Sequence, residues 1–235
     1  MMKRYCKICI YIVLAMLLVA CADKQDNLKP VVIPTGRGTF TDSRDGLTYN
    51  WVRYGRLEWT VENSQFDTGN RKNCTIYQSY GWEQGQSLLL DNAVRYGYLY
   101  TIEGAKLAVP TGWRLPTDED WKALEQELGM SAAQANALDW RGEHVADLMK
   151  HTSSERGLDI KMSGYFTPYT VMATSGYRFM GSYAFLWTAT KDEAKEGEYY
   201  FYRKLLYNSG QVYRESMEPD QAMLSVRFVR DVAAQ

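Results

Sequence analysis

The sequence predicts an α+β domain with an irregular, mainly antiparallel sheet, a few short helices and long loops. Three observations point there. Strand-like, aromatic-rich segments come before about residue 101 and again after about residue 158, with helical patterns between them. A strongly signalled helix start falls at Thr117. Turn residues separate the strand-like segments, as hairpins require. The 235 residues are 46% hydrophobic and 23% charged, which excludes a disordered or fibrous chain.

The first predicted element is a hairpin. Residues 48–52 and 57–61 flank a turn at Tyr54-Gly55-Arg56, and Leu57, Trp59 and Val61 alternate with Glu58 and Thr60. Residues 96–101 form the next strand candidate, and 102–107 a short helix. The main helix starts after Thr117, a good N-cap, with Asp120 placed to complete a capping box. Asp118, Glu119 and Asp120 put negative charge at the positive end of its dipole. Trp121, Leu124 and Leu128 share one face, and Gly129 stops the helix. Further helices are expected over 131–137 and 143–150. Strands are expected over 158–162, 185–189, 199–206, 211–214 and 224–229, with Asn208-Ser209-Gly210 as a hairpin turn.

The N-terminus reads as an address. Lys3, Arg4 and Lys7 precede 13 unbroken apolar residues, 8–20. That is a signal-peptide core, too short for a membrane span of about 20 residues. The run ends at Leu18-Val19-Ala20-Cys21, which resembles the lipobox of bacterial lipoproteins. The resemblance implies cleavage before Cys21 and lipidation of Cys21. An uncleaved anchor or an ordinary secretory signal is the alternative. Several acyl chains make a stable anchor where one is marginal. The expected location is therefore the bacterial outer membrane or cell surface, with the membrane as a partner through acyl chains.

The expected organisation is a signal peptide over 1–20, a lipid-anchored flexible tether over 21–38, and one domain over 39–235. The tether is polar, then punctuated by Pro30, Pro34, Gly36 and Gly38. Without residues 1–20 the chain carries 24 Lys+Arg against 28 Asp+Glu. Such a balance gives no reason to expect nucleic acid as a partner. Cys6 and Cys9 leave with the signal and Cys21 is acylated, so Cys74 remains alone as a buried small hydrophobe, with no disulfide.

Several motifs then appear in order. They are Phe40-Thr41-Asp42-Ser43-Arg44-Asp45-Gly46-Leu47-Thr48-Tyr49, Trp59 with Glu62-Asn63, and Gly97-Tyr98-Leu99-Tyr100. Pro110-Thr111-Gly112-Trp113-Arg114-Leu115-Pro116-Thr117 with Trp121 follows, then Ser175-Gly176-Tyr177-Arg178 and Trp187-Thr188-Ala189-Thr190. Ser225-Val226-Arg227-Phe228-Val229-Arg230-Asp231 closes the set. Together they resemble the Fibrobacter succinogenes major paralogous domain over roughly residues 39–231. That family is similar in turn to the C-type-lectin-like fold, most closely to the formylglycine-generating enzymes. The resemblance implies a twisted, irregular sheet with two or more helices. Family members often carry Cys where this chain has Val109 and Phe228, which implies a cysteine pair replaced by apolar packing.

Enzymatic chemistry finds little support. The cysteine pair of formylglycine generation is missing, since only Cys74 lies in the mature domain. The three-histidine iron site of related sulfoxide-forming proteins is missing too, because only His144 and His151 are present. They are seven residues apart, where metal ligation on a helix wants four. No Gly-x-Ser-x-Gly elbow supports a serine triad. Asp42 and Asp45 before Gly46 read as a polar turn rather than a calcium loop. No cofactor or metal is expected. Trp113, Arg114, Pro116, Thr117, Trp121, Trp187 and Arg227 read as structural motif residues. Arg114 is expected in a buried or half-buried ion pair, and Arg227 and Arg230 with a partner such as Asp118 or Glu119.

Aromatic residues are the remaining lead. The chain has 18 Tyr and 7 Trp, and such rings offer a flat apolar face with a polar edge. Loop positions Trp82, Trp140, Tyr165, Tyr169 and Tyr183 are the binding candidates. The expectation is a non-enzymatic, lipid-anchored surface domain that binds a glycan or protein ligand through aromatic loops. A structural or assembly subunit of a surface complex is the alternative, and a degenerate enzyme of the formylglycine-generating fold a third reading.

Overall fold

The computed structural model describes residues 32–78, 86–152, 157–169 and 176–232, with the backbone alone over 86–90. Its first sheet is a four-stranded antiparallel sheet of β1 (Gly36–Thr41), β2 (Thr48–Tyr54), β3 (Leu57–Thr60) and β12 (Val229–Asp231), in that spatial order. The predicted hairpin is β2–β3, closed by Gly55-Arg56 with Gly55 at φ 55°. Positive φ at the first turn position fits the twist of tight hairpins. β1 reaches into the stretch expected to be tether. Val32 packs against the core and Thr35 N–H donates to the Arg53 carbonyl, so residues before 39 are part of the packed domain.

Next come β4 (Cys74–Ile76) and β5 (Tyr98–Tyr100), which pair with each other, around α1 (Gln86–Tyr96). The sequence reading places no element over α1. It ends at Gly97, whose φ of 76° and close approach to the Ser64 carbonyl leave no room for a Cβ. α2 (Ile102–Ala108) follows, capped by Thr101.

α3 (Asp118–Glu127) carries the capping box foreseen: the Thr117 side chain accepts from Asp120 N–H, and the Asp120 carboxylate accepts from Thr117 N–H. α4 (Ala132–Asn136) has a second box, between Ser131 and Gln134. Then come β6 (Asp139–Arg141) and α5 (Val145–Lys150).

β7 (Ser163–Phe166), β8 (Tyr177–Met180), β9 (Tyr183–Lys191), β10 (Tyr200–Leu206) and β11 (Val212–Met217) join β6 in a six-stranded sheet. Its order is β6-β11-β10-β9-β7-β8, antiparallel except where β7 meets β9. Two strand predictions need correction. Residues 158–162 are irregular. Leu158 and Ile160 enter the core as side chains, and their backbone bonds go to Arg227 and to the Met149 carbonyl. Residues 224–228 also form no continuous strand. They make single bridges, Leu224 to Tyr100 and Ser225 to Leu186, before β12 begins at Val229. Apolar side chains in these segments answer to burial, which irregular backbone can supply as well as a strand can.

Two large apolar clusters result. One gathers Trp59, Trp121, Leu124, Met149, Leu186 and Leu205. Trp59 and Trp121 meet edge to face at 4.8 Å, an arrangement that the ring quadrupoles favour. The other gathers Tyr100, Trp113, Trp187, Tyr202, Leu224 and Phe228. Val109 packs against that same cluster, so Val109 and Phe228 share one apolar core.

Between strands and helices lies a charged layer. Asp118 accepts from Arg203 at 2.7 Å and Arg214 at 2.7 Å, and Glu125 accepts from Arg203 at 2.6 Å and Arg141 at 2.7 Å. These five side chains are almost wholly buried, and each guanidinium nitrogen bonds either a carboxylate or a backbone carbonyl. Pairing of this completeness is what makes buried charge tolerable.

Candidate functional site

Side chains alternate between the two faces of a strand. On β10 this puts Tyr200, Tyr202 and Lys204 on one face, and Phe201, Arg203 and Leu205 on the other. Arg203 and Leu205 are fully buried towards the charged layer and the first cluster. The opposite face is aromatic across the whole sheet. Lys204 stands opposite Phe185 of β9 and Tyr213 of β11, and Tyr213 stands opposite Trp140 of β6. Tyr165 of β7 follows Gly164, which pairs with Ala184 of β9, and Phe179 lies on β8.

The rings form a continuous series. Trp140 meets Tyr213 at 5.2 Å, Tyr213 meets Tyr202 at 6.1 Å, and Tyr202 meets Phe185 at 6.3 Å. Phe185 meets Tyr165 at 4.9 Å and Tyr183 at 6.0 Å. Phe179 closes the series, 5.3 Å from Tyr183 and 6.0 Å from Tyr165. Every one of the six strands contributes at least one ring. Phe185 and Tyr202 are buried beneath, Trp140, Tyr165, Tyr183 and Tyr213 are half-buried, and Phe179 is 51% exposed.

Part of this face borders a cavity of about 630 Å³. Tyr165, Phe179, Phe185 and Tyr202 supply its aromatic side, with Met217 and Leu224 beside them. Tyr169, Glu218 and Gln221 supply polar atoms. Tyr169 Oη donates to Asp220 at 3.0 Å, while Glu218 accepts from Tyr199 Oη and Gln221 Nε2, both at 2.8 Å. Those carboxylates raise the Tyr169 and Tyr199 phenols above their ordinary value, and burial raises Tyr202 and Tyr213. All four hydroxyls therefore stay protonated at neutral pH, able to donate and to accept. Concave, mainly apolar surfaces with a few placed polar groups are the usual form of small-ligand sites.

Four of the five binding candidates fall within the described residues, three of them in or beside the cavity and Trp140 at the far edge of the ring series. Tyr165 and Tyr169 line the cavity, Tyr183 supports it through Phe179 and Phe185, and Trp140 begins the ring series at the far edge. Trp82 and Cys21 lie outside the described residues. The expectation that the candidates sit on loops is corrected for three of them: Trp140, Tyr165 and Tyr183 lie on β6, β7 and β9. Phe179, Phe185, Tyr202 and Tyr213 were missed. The alternation of Tyr200, Tyr202 and Lys204 was the available signal, masked by the equally bulky alternate set.

The motif residues lie elsewhere. Trp113 stacks on Phe40 at 4.4 Å under Arg230, and the Trp187 indole N–H donates to the Tyr100 carbonyl at 2.8 Å. Trp121 is fully buried. The Pro116 carbonyl accepts from Ala189 N–H. Arg114 is half-buried and pairs with Asp120, with Asp231 at 3.4 Å. The expected partners of the C-terminal arginines are corrected. Arg227 has no carboxylate: it donates to Asn63 Oδ1 and to the carbonyls of Thr60, Leu158 and Asp159. Arg230 pairs with Glu58, because β12 lies beside β3 and brings the two into register. Asp118 serves Arg203 and Arg214 instead.

Asp42 takes Arg44 in a tight turn, and Gly46 within it has φ 76°. Cys74 is free and buried, its thiol raised by burial. Among the described residues no group of three His, Cys, Asp or Glu could hold a metal, and no helix is long and apolar enough to cross a membrane.

Fold and site together describe an α+β domain with one aromatic sheet face opening on a cavity. Over residues 52–230 the chain matches the model of the Fibrobacter succinogenes major domain, and it belongs to that family. No curated protein and no solved structure matches it.

Proposed function

We propose that this chain is a non-enzymatic glycan-binding domain, and that its ligand lies along the aromatic face of the six-stranded sheet. The observation that carries the proposal is the ring series from Trp140 to Phe179, continuous across every strand and bordering the 630 Å³ cavity. A sugar ring has an apolar C–H face and a rim of hydroxyls. Flat rings suit the first, and Tyr169, Glu218 and Gln221 suit the second. The proposal takes the domain to be of the C-type-lectin-like type, in keeping with its irregular antiparallel sheets and short helices. It places the domain at the bacterial surface on acyl chains carried by Cys21, in keeping with the lipobox-like Leu18-Val19-Ala20-Cys21.

Screening the purified chain against an array of oligosaccharides tests the binding. Expected is a saccharide ligand whose affinity falls in Trp140→Ala and in Tyr165→Ala. Capture of a protein and of no saccharide would favour an assembly subunit instead. Intact mass and acyl-chain labelling of the native protein, compared with Cys21→Ala, test the anchor.

A further inference from the structure

Lys204 stands apart from every other lysine of comparable burial. Among the described residues four lysines are buried or half-buried: Lys122, Lys150, Lys161 and Lys204. Lys122 pairs with Glu119 and bonds Asn136 at 2.9 Å. Lys150 donates to three carbonyls and Lys161 pairs with Asp159. Lys204 has no hydrogen bond and no ion pair within the described residues. Its ammonium instead lies 3.5 Å from the centre of the Tyr213 ring and 5.0 Å from that of Trp140.

Burial disfavours its charged form and lowers its pKa, with the nearby charge of Asp139 acting the other way. Cation–π contact compensates part of that desolvation but leaves the three N–H donors without a partner among the described residues. The placement is specific. Lys204 follows Tyr202 by two residues on the same face and pairs in register with Phe185, and both of those rings line the cavity. A positive charge with unspent donors therefore sits inside the ring series, beside the place where a stacked sugar would lie. Of the acidic groups on this side, Glu215 pairs with Lys195, and Asp139 acts on Lys204 through its charge without a hydrogen bond or ion pair to it.

We infer that the glycan taken by this face is acidic, and that Lys204 receives its carboxylate at the Trp140–Tyr213 end. The inference rests on the glycan reading above. A carboxylate presented there would gain a charge-assisted hydrogen bond, which is stronger and more directional than a neutral one. Neutral sugars could stack on the same rings but would leave the ammonium unmatched.

Calorimetric titration of the full chain, held in a detergent without sugar headgroups, tests this with two probes of equal length, trigalacturonic acid and a neutral galactose trisaccharide. Expected is binding about tenfold tighter for the acidic probe, an advantage that shrinks in high salt. Lys204→Met should abolish the advantage, and Lys204→Arg should retain it. Equal binding of the two probes, or an advantage that survives Lys204→Met, overturns the acidic assignment and leaves the glycan reading standing. Binding of neither probe, by a chain that also fails the saccharide array, overturns both.

Discussion

Arg203 and Arg214 stand directly opposite each other on β10 and β11, and the carboxylate of Asp118 accepts from both at 2.7 Å. Like charges in register across two strands are destabilising by themselves. Here α3 drops a carboxylate between them, so the helix N-terminus and the sheet hold each other in place. Asp118→Asn should cost about 3–5 kcal/mol in urea unfolding, because it leaves Arg214 buried without a carboxylate and Arg203 with Glu125 alone. A loss under 1 kcal/mol would show that the layer is not stabilising.

The same carboxylate sets an acid limit. Burial alone would raise its pKa, but hydrogen bonds from Arg214 and Arg203 outweigh burial and bring it from 3.8 down to about 2. A depressed carboxylate contributes stability above its unfolded value and loses it as pH falls through the folded one. The contribution, about 2 kcal/mol, is therefore complete above about pH 5 and lost between about pH 4 and pH 2. Wild-type stability measured over that window should fall more steeply than that of Asp118→Asn.

On the aromatic face, Trp140→Ala should weaken saccharide binding about tenfold or more. It should shift the melting temperature little, since Trp140 is half-buried on the edge strand β6. Tyr169→Phe keeps the ring and removes the bond to Asp220, so a smaller loss is expected. Calorimetric titration of both variants separates the contribution of stacking from that of the hydroxyl.

Gly104 gives a different kind of test. A Cβ there would lie 2.0 Å from the Asn73 carbonyl oxygen, within α2 where it packs against the turn before β4. Gly104→Ala should cost about 3 kcal/mol by overpacking, although alanine is the better helix former. Equal or higher stability by chemical denaturation would mean that the turn can move away.

Cys74 should be slow to alkylate in the folded chain. It is buried, and burial raises its thiol above the ordinary value, so little thiolate forms. Peptide mass spectrometry after iodoacetamide at pH 8 should find Cys74 protected in the native protein and modified in denaturant.

Local signals in the sequence carried four helices and missed α1. Thr117 with Asp120 and Ser131 ahead of α4 are capping chemistry decided within three residues, and both appear as expected. The hairpin at Gly55 is equally local. Residues 158–162 and 224–229 misled because apolar side chains report burial and not backbone geometry. The arginine partners were out of reach for another reason. Arg203 meets Asp118 across 85 residues and Arg227 meets Asn63 across 164, and such pairings depend on the finished topology. Of the site, Trp140, Tyr165, Tyr169 and Tyr183 could be picked out as aromatic residues. Their assembly on one sheet face follows from register, which a single sequence does not display.

β12 closes the first sheet against β3, and the Val229 backbone also exchanges hydrogen bonds with Arg114. The last ordered strand is thus an internal seam joining segments laid down more than a hundred residues earlier. While the chain is still emerging from the ribosome, Trp59 and Thr60 have no neighbour on that side, and the carbonyls that Arg227 gathers go unmet. Close-range helices can form during synthesis, but the body can lock only when its tail arrives. A copy cut short before residue 224 would forfeit more than its length suggests, because β3 would be left as an open edge.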